Sequence, residues 1–305
     1  MLKMSPLFAR LRTNLFSASA FLVMAKQRLD VLLVDRALCE SRPQALRLIQ
    51  AGEVRVNRQM VDKAGTQVDV TADIEVKSKA RFVSRGGEKL WKALEHFGID
   101  VSDRICLDGG ISTGGFTDCL LQSGATKVYG VDVGYGQVAW KLQSDDRVII
   151  RERTNIRHLT PEELYPEGAM LPDLGVVDVS FISLVKVLEA ISKLVIGPRE
   201  MVLLVKPQFE VGRDRIGKKG VVRNTDDQAE TIDDVINCAI KLGWSYQGLT
   251  WSPITGPAGN IEFLLWLRDG EGQVPPTREE LREFTQEARG FVVGKASSAA
   301  IDEAP

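Results

Sequence analysis

Between residues 105 and 268 the chain returns again and again to short runs that are apolar throughout. Ile105–Asp108, Lys127–Asp132, Arg147–Arg151, Leu174–Val179, Met201–Val205, Ser245–Trp251 and Glu262–Leu267 read as strands. Helical spacing falls between them, near residues 114–123, 136–142, 183–195 and 227–241. A strand that is apolar on both faces must be covered on both faces, and crossover helices supply that cover. The pattern predicts a seven-stranded, parallel α/β sheet. In such a sheet a ligand lies beyond the carboxyl ends of the strands.

The glycines sit at that edge. Strand "ICLD" runs into "GGISTGGFTDCLL" and then a helix, as in a Rossmann-like unit. The dinucleotide pattern G-x-G-x-x-G is not spelled, because the third residue from Gly109 is Ile111 and from Gly110 is Ser112. A nicotinamide dehydrogenase is therefore disfavoured. What stands instead is Asp108-x-Gly110-x-x-x-Gly114-Gly115, with Ser112, Thr113 and Phe116 filling the loop. This suits S-adenosylmethionine. The glycines let the backbone approach its methionine portion, and Asp108 is expected to face its ammonium or sulfonium side. Asp132, followed by Val133, ends the next strand; an acid there accepts both ribose hydroxyls of an adenosine, or else caps a helix. Asn155, after the third strand, is expected to meet the adenine.

The front of the chain has a different character. Residues 1–89 carry 16 Lys/Arg against 9 Asp/Glu, a balance of +7, and the remainder 23 against 32, a balance of −9. That asymmetry suits a basic front that meets phosphate. Within it, Leu29, Leu32, Leu33 and Leu38 predict a short helix. Ser41 and Pro43 open a second, with Ala45, Leu46, Leu48 and Ile49 on its apolar side and Gly52 at its end. Short strands follow around Val54–Val56, Val68–Val70 and Ile74–Val76. So small a unit buries a modest core. Arg28, Arg42, Arg47, Arg55 and Arg58 are its candidate phosphate contacts. The segment "RLDVLL…SRPQALRLIQAGEVRVNRQMV" resembles the RNA-binding domain first described in the fourth protein of the small ribosomal subunit.

Residues 1–25 hold Lys3, Arg10 and Arg12 and no acid, with an apolar run at 18–24. They read as a disordered extension, with Met24 as the true start, or as a transit peptide. The run is too short to span a bilayer. Cys39, Cys106, Cys119 and Cys238 are scattered, with no C-x-x-C pair, so no metal site is expected and a reducing, cytoplasmic setting fits. His96 and His158 have no metal-like spacing either.

The motifs "SRGGEKL", "LDGGISTGGFTDCLL", "VYGVDVGYGQVAWKL", "RERTNIRHL", "VDVSFISL", "LLVKPQFE" and "GNIEFLL" together resemble the TlyA, or hemolysin A, family from about residue 26 to residue 268. The catalytic domain of that family is FtsJ-like. The resemblance implies methylation of ribose 2′-hydroxyls, on cytidines of ribosomal RNA or ribosomal subunits. It also implies a Lys-Asp-Lys-Glu tetrad, whose matching positions are Lys89, Asp178, Lys206 and Glu262. In that scheme Lys206 stabilises or deprotonates the hydroxyl, Asp178 orients Lys206, Lys89 helps hold the hydroxyl, and Glu262 positions Lys89. One departure stands out: Thr113-Gly114-Gly115 replaces the Pro-Gly-Gly of the heat-shock branch. Arg85, and Arg213, Arg215, Lys218 and Lys219 in the glycine-rich segment 211–224, are further RNA-facing candidates; that segment is expected to be a mobile loop.

The domain reading is thus an extension at 1–25, an RNA-binding domain at 26–78 and a linker at 79–88. A catalytic domain follows at 89–270, then a C-terminal helix near 277–290 that frays into a tail. A non-catalytic assembly factor and a membrane-active toxin are the competing readings. The intact glycine motif and tetrad oppose the first, and the lack of a spanning or amphipathic segment opposes the second.

Overall fold

The computed structural model describes residues 25–77 and 80–302, with side chains described as far as Val292. The expected extension at 1–25 lies outside these residues apart from Ala25. The chain divides between Lys79 and Ala80 into two compact units.

The first unit runs β1 (Lys26–Arg28), α1 (Leu29–Asp35), α2 (Arg42–Gln50), β2 (Val54–Val56), β3 (Gln59–Met60), β4 (Gln67–Asp69) and β5 (Ile74–Val76). β1 pairs with β4, and β2 lies between β3 and β5. Leu29, Leu33, Ala45, Ile49 and Val54 are completely buried and form one core with Val68 and Ile74. Leu38 and Leu46, expected on the apolar sides of the helices, are exposed instead. Two short helices on so small a sheet cannot cover every apolar position. Pro43 sits in the first turn of α2, while Ser41 occupies the cap position without a side-chain bond. Asn57 and Arg58 have φ of +48° and +66°, which closes the tight β2–β3 turn.

The second unit runs α3 (Gly86–Phe97), β6 (Ile105–Gly109), α4 (Gly115–Gln122), β7 (Lys127–Val131), α5 (Trp140–Gln143), β8 (Val148–Arg151), α6 (Pro161–Leu164), β9 (Leu174–Val177), α7 (Leu188–Lys193), β10 (Glu200–Val205), α8 (Pro207–Glu210), α9 (Thr225–Lys241), β11 (Ser245–Trp251), β12 (Phe263–Arg268) and α10 (Arg278–Asp302). Its seven strands lie in the order β11-β12-β10-β9-β6-β7-β8. β12 is antiparallel to both β10 and β11, and the ladders from β10 to β8 are parallel. Alternate residues feed opposite layers. Leu203, Val205, Phe263 and Leu265 pack with Leu188, Ile191, Ile232 and Ile236 of α7 and α9. Val202, Leu204 and Leu264 pack on the other side with Leu90, Leu94, Phe116 and Leu120 of α3 and α4.

Four expectations need correction. The stretch 79–88 is not simply a linker. Phe82 is buried in the core beside α3, the backbone N–H of Val83 donates to Asp118 Oδ2 at 2.9 Å, and residues 86–88 already belong to α3. Gly87 is a packing requirement, since a Cβ there would lie 2.2 Å from the Phe82 ring. The helix expected at 136–142 shrinks to α5, because 134–136 turn back on themselves through Gly136 at φ +68°. That expected at 183–195 breaks into a single turn at Leu184–Lys186 and then α7, with Val187 at φ −115° between them. β-Branched Ile182, Val185 and Val187 disfavour an unbroken helix there. At the other end α10 continues to Asp302, the alanines of 296–300 favouring helix where a frayed tail was expected.

Phe82→Ala should therefore destabilise the second unit by about 3–5 kcal/mol, read by denaturant unfolding. A linker residue would show almost no change.

Candidate active site

The register of the sheet assembles one edge. Gly109 of β6 pairs with Val177 of β9, Val177 with Leu203 of β10, and Val205 of β10 with Phe263 of β12. Asp178 and Lys206 thus emerge just beyond the ends of two adjacent parallel strands. Because β12 runs the other way, Glu262 just before its start reaches the same edge. Lys89 comes to it from the first turns of α3. Lys89 Nζ lies 2.5 Å from Glu262 Oε2, and Lys206 Nζ lies 2.6 Å from Asp178 Oδ1. Both lysines are buried, and Glu262 is 1% exposed. Burial pushes the Asp178 carboxyl above its ordinary range, with Lys206 and then Lys89 pulling it back.

Three neighbours of this set escaped the sequence reading. Lys206 Nζ also donates to Ser180 Oγ at 2.7 Å, and Gln208 Nε2 donates to Glu262 Oε1 at 3.3 Å. Glu210 accepts from Ser183 Oγ at 2.6 Å and from the Leu184 N–H at 2.8 Å. The only signal for them was position: Ser180 follows Asp178 by two residues, and Gln208 and Glu210 sit in the turn after Lys206. Phe181 has φ +65°, is 92% exposed, and has its ring 5.2 Å from that of Phe209.

A cleft of about 410 Å3 opens at the edge, lined by Arg85, Lys89, Gly110, Ser112, Thr113, Gly115, Phe116 and Asp178 among others. Gly110 has φ +96°, and a Cβ there would stand 2.6 Å from the carbonyl oxygen of Asp178. A Cβ on Gly115 would stand 2.3 Å from Ser84 Oγ. The glycines therefore serve chain packing as well as the opening of the cleft. Asp132 Oδ2 accepts from the Ser112 N–H at 2.7 Å and Oδ1 from the Gly134 N–H at 2.6 Å, which ties the glycine loop to the end of β7. Val133 beside it is 69% exposed. Asn155 Oδ1 caps the turn that follows by accepting from Arg157 N–H at 3.1 Å, which leaves its amide nitrogen and one lone pair of the oxygen to meet a ligand.

Asp108 departs from expectation. It does not face the cleft: its side chain is completely buried, Oδ2 accepts from Thr117 Oγ1 at 2.6 Å, and Oδ1 has no hydrogen-bond partner. Burial raises its pKa to about 7.

The basic segment after α8 is more ordered than a mobile loop implies. It forms two short turns and is fixed by Asn260, whose Oδ1 accepts from Val222 N–H and whose Nδ2 donates to Gly220 O, both at 2.9 Å. Arg215 is held by Asp227 and Glu230 of α9. Arg213, Lys218 and Lys219 are exposed, and Lys218, Lys219 and Arg223 line a surface cavity of about 530 Å3 with Arg215. In the first unit Arg28 and Arg42 share the carboxylate of Asp30, while Arg47, Arg55 and Arg58 lie at the surface.

With this geometry in view, comparison with known proteins is decisive. Residues 82–269 match the FtsJ-like methyltransferase family, and residues 27–74 match the S4 domain. The chain belongs to the FtsJ-like methyltransferase family. It is 47% identical over 245 residues to the 16S/23S rRNA (cytidine-2′-O)-methyltransferase TlyA of Mycobacterium tuberculosis, which spans 80% of this chain and 90% of the relative. It is 42% identical to Hemolysin A of Brachyspira hyodysenteriae over 78% of this chain and 98% of the relative. A solved Streptococcus thermophilus protein described as a hemolysin is 41% identical, with a TM-score of 0.68 over 90% of this chain and 99% of that one. Among the described residues no helix is long and apolar enough to cross a membrane.

The family's cofactor is S-adenosylmethionine, and the cleft fits it. The volume lies within the range usual for small-molecule sites. The backbone cradle at Gly110 and Gly115 has no side chain in the way, and Asp132 keeps acceptor capacity on both oxygens for a ribose diol.

The buried Asp108 gives a test by pH. Its folded pKa, about 7, lies above the unfolded value of 3.8, so the fold binds the proton more tightly and loses stability as pH rises between those values. Asp108→Asn should raise the melting temperature of the cofactor-free protein at pH 8, and the gain should vanish by pH 4. An equal effect at both values would contradict this account.

Proposed function

We propose that this chain transfers the methyl group of S-adenosylmethionine to the ribose 2′-hydroxyl of cytidines in ribosomal RNA, as a cytoplasmic enzyme. The observation that carries this reading is the convergence of two Lys–carboxylate pairs, buried except for a half-buried Asp178, beside a glycine-lined cleft. Such an arrangement answers the chemistry of a ribose hydroxyl, a poor nucleophile until its oxyanion is stabilised. The names of the M. tuberculosis relative, and of a Campylobacter jejuni 23S rRNA (cytidine-2′-O)-methyltransferase 36% identical to this chain, support the substrate.

Gly110, Ser112, Thr113, Gly114, Gly115 and Phe116 hold the methionine portion, and Asp132, Val133 and Asn155 the adenosine; the bound cofactor supplies an electrophilic methyl group. Lys206 has three N–H donors. The ammonium is ion-paired with Asp178 and donates to Ser180 Oγ. A further N–H meets the acceptor oxygen, stabilising its developing negative charge as the oxygen–carbon bond forms, the carbon–sulfur bond breaks and the hydroxyl proton leaves to water. Lys89, held by Glu262, steers the same hydroxyl from the other side. Asp178 carries the compensating charge. Exposed Phe181 offers an aromatic face on which an unpaired base stacks. Much of the remaining acceleration comes from alignment of oxygen and methyl carbon.

Arg47, Arg55 and Arg58 of the first unit, with Arg85, Arg213, Lys218 and Lys219, serve as phosphate contacts. Arg28, Arg42 and Arg215, engaged with acids, contribute less. Arg47→Ala with Arg55→Ala should weaken RNA binding and lower the slope of log K against log salt by about 1 for each lost contact. Unchanged slopes would remove these residues from the interface.

The central test uses labelled S-adenosylmethionine with naked ribosomal RNA, free subunits and intact particles. The wild type should transfer label into a product resistant to alkaline cleavage, as a 2′-O-methyl group requires. Lys206→Ala should lower the rate about 10²–10³-fold. Absence of wild-type transfer to every RNA form would reject the reading in favour of a non-catalytic RNA-binding factor.

A further inference from the structure

We infer that Glu210 is a positioning residue for methyl transfer: it clamps the loop after Asp178 onto the turn after Lys206, and so fixes the geometry of the Asp178–Lys206 pair. The inference rests on the function proposed above. Asp178 and Lys206 leave adjacent parallel strands, but the strands themselves end at Val177 and Val205. Beyond those points the sheet ladder no longer fixes either residue. Residues 178–183 lie outside any helix or strand, and within them Phe181 holds φ +65°, a conformation that a side chain with a Cβ rarely adopts. Such a conformation persists only where its surroundings enforce it.

Glu210 is the group placed to enforce it. Its carboxylate lies four residues after Lys206, at the end of α8, and takes both of its hydrogen bonds from the far end of the Asp178 loop: Ser183 Oγ at 2.6 Å and Leu184 N–H at 2.8 Å. The near end is held by Lys206 itself, through Asp178 at 2.6 Å and Ser180 at 2.7 Å. Phe209, next to Glu210, carries the ring of Phe181. The loop is thus fastened at both ends to one five-residue segment, 206–210. Glu210 touches neither the reacting hydroxyl nor the cleft, so its effect on the chemistry is transmitted through the position of Asp178 and Phe181.

The test compares the full-length wild type with Glu210→Ala, Glu210→Gln and Ser183→Ala. In Glu210→Ala, kcat should fall about 10²-fold, as an ångström-scale misplacement costs, while KM for S-adenosylmethionine changes little, because Asp132 and the glycine cradle are untouched. Glu210→Gln should recover most of the rate. Its carbonyl oxygen still accepts from Leu184 N–H, and its amide donates to Ser183 Oγ, which reverses role. Ser183→Ala, which removes one of the two bonds from outside α8, should fall between. Amide hydrogen exchange reads the clamp without any RNA: residues 179–184 should exchange at least about tenfold faster in Glu210→Ala, with β9 and β10 unchanged. A wild type inactive on RNA would sink the proposed function while leaving this exchange result to decide the clamp. Unchanged exchange in Glu210→Ala, kcat within about threefold of wild type, or a parallel loss of cofactor affinity and of protection throughout the sheet would each overturn the inference.

Discussion

Strand β12 runs against its neighbours, and its first ladder pair sets Phe263 opposite Val205. In an all-parallel sheet the residue before a strand lies at the amino edge, far from the residues that follow the other strands. Reversal of one strand carries Glu262 to the carboxyl edge, where Lys89 waits on α3. The pairing of Lys89 with Glu262, and with it the closing side of the cleft, depends on that reversal. The same register fixes Asp178 and Lys206 side by side, since β9 and β10 are in step at Leu203 and Val177.

Charge then makes the arrangement mutually obligatory. Two ammonium groups and two carboxylates meet at this edge, all but Asp178 buried. Removing one partner from a buried pair typically costs about 3–5 kcal/mol, because the other is left as an uncompensated charge. Each lysine is therefore held by an acid from a different part of the chain: Lys89 from position 262, Lys206 from position 178. The site exists only when the sheet is formed, and its pairs in turn specify which strand ends meet.

The sheet was legible from sequence because wholly apolar runs such as Leu174–Val177 and Met201–Val205 leave no alternative to two-sided burial. The edge residues were legible for a related reason, since Asp132, Asp178 and Lys206 stand where apolar runs stop. What escaped was set by tertiary contact. The stretch 79–88 read as a linker, because nothing local reveals that Phe82 packs against Gly87. Asp108 looked like a cofactor ligand by its place in the motif, but whether a strand-end carboxyl turns toward the cleft or toward Thr117 depends on the start of α4. The Lys89, Asp178, Lys206 and Glu262 set came from family resemblance, and its spatial meaning required the antiparallel strand. Ser180 and Glu210 carry no pattern of their own; their partners lie 26 or 27 residues away.

The double backbone grip on Asp132 has a further consequence, for selectivity. Its two oxygens are already oriented by Ser112 and Gly134, so little side-chain entropy remains to be lost when a diol arrives. The same fixed carboxylate cannot swing aside for a ligand carrying phosphate on that diol, and like charges held close together repel. In the role proposed for it, Asp132 thus sets the site against phosphorylated nucleosides before any of them binds. A positively charged, unphosphorylated adenosine derivative meets no such penalty.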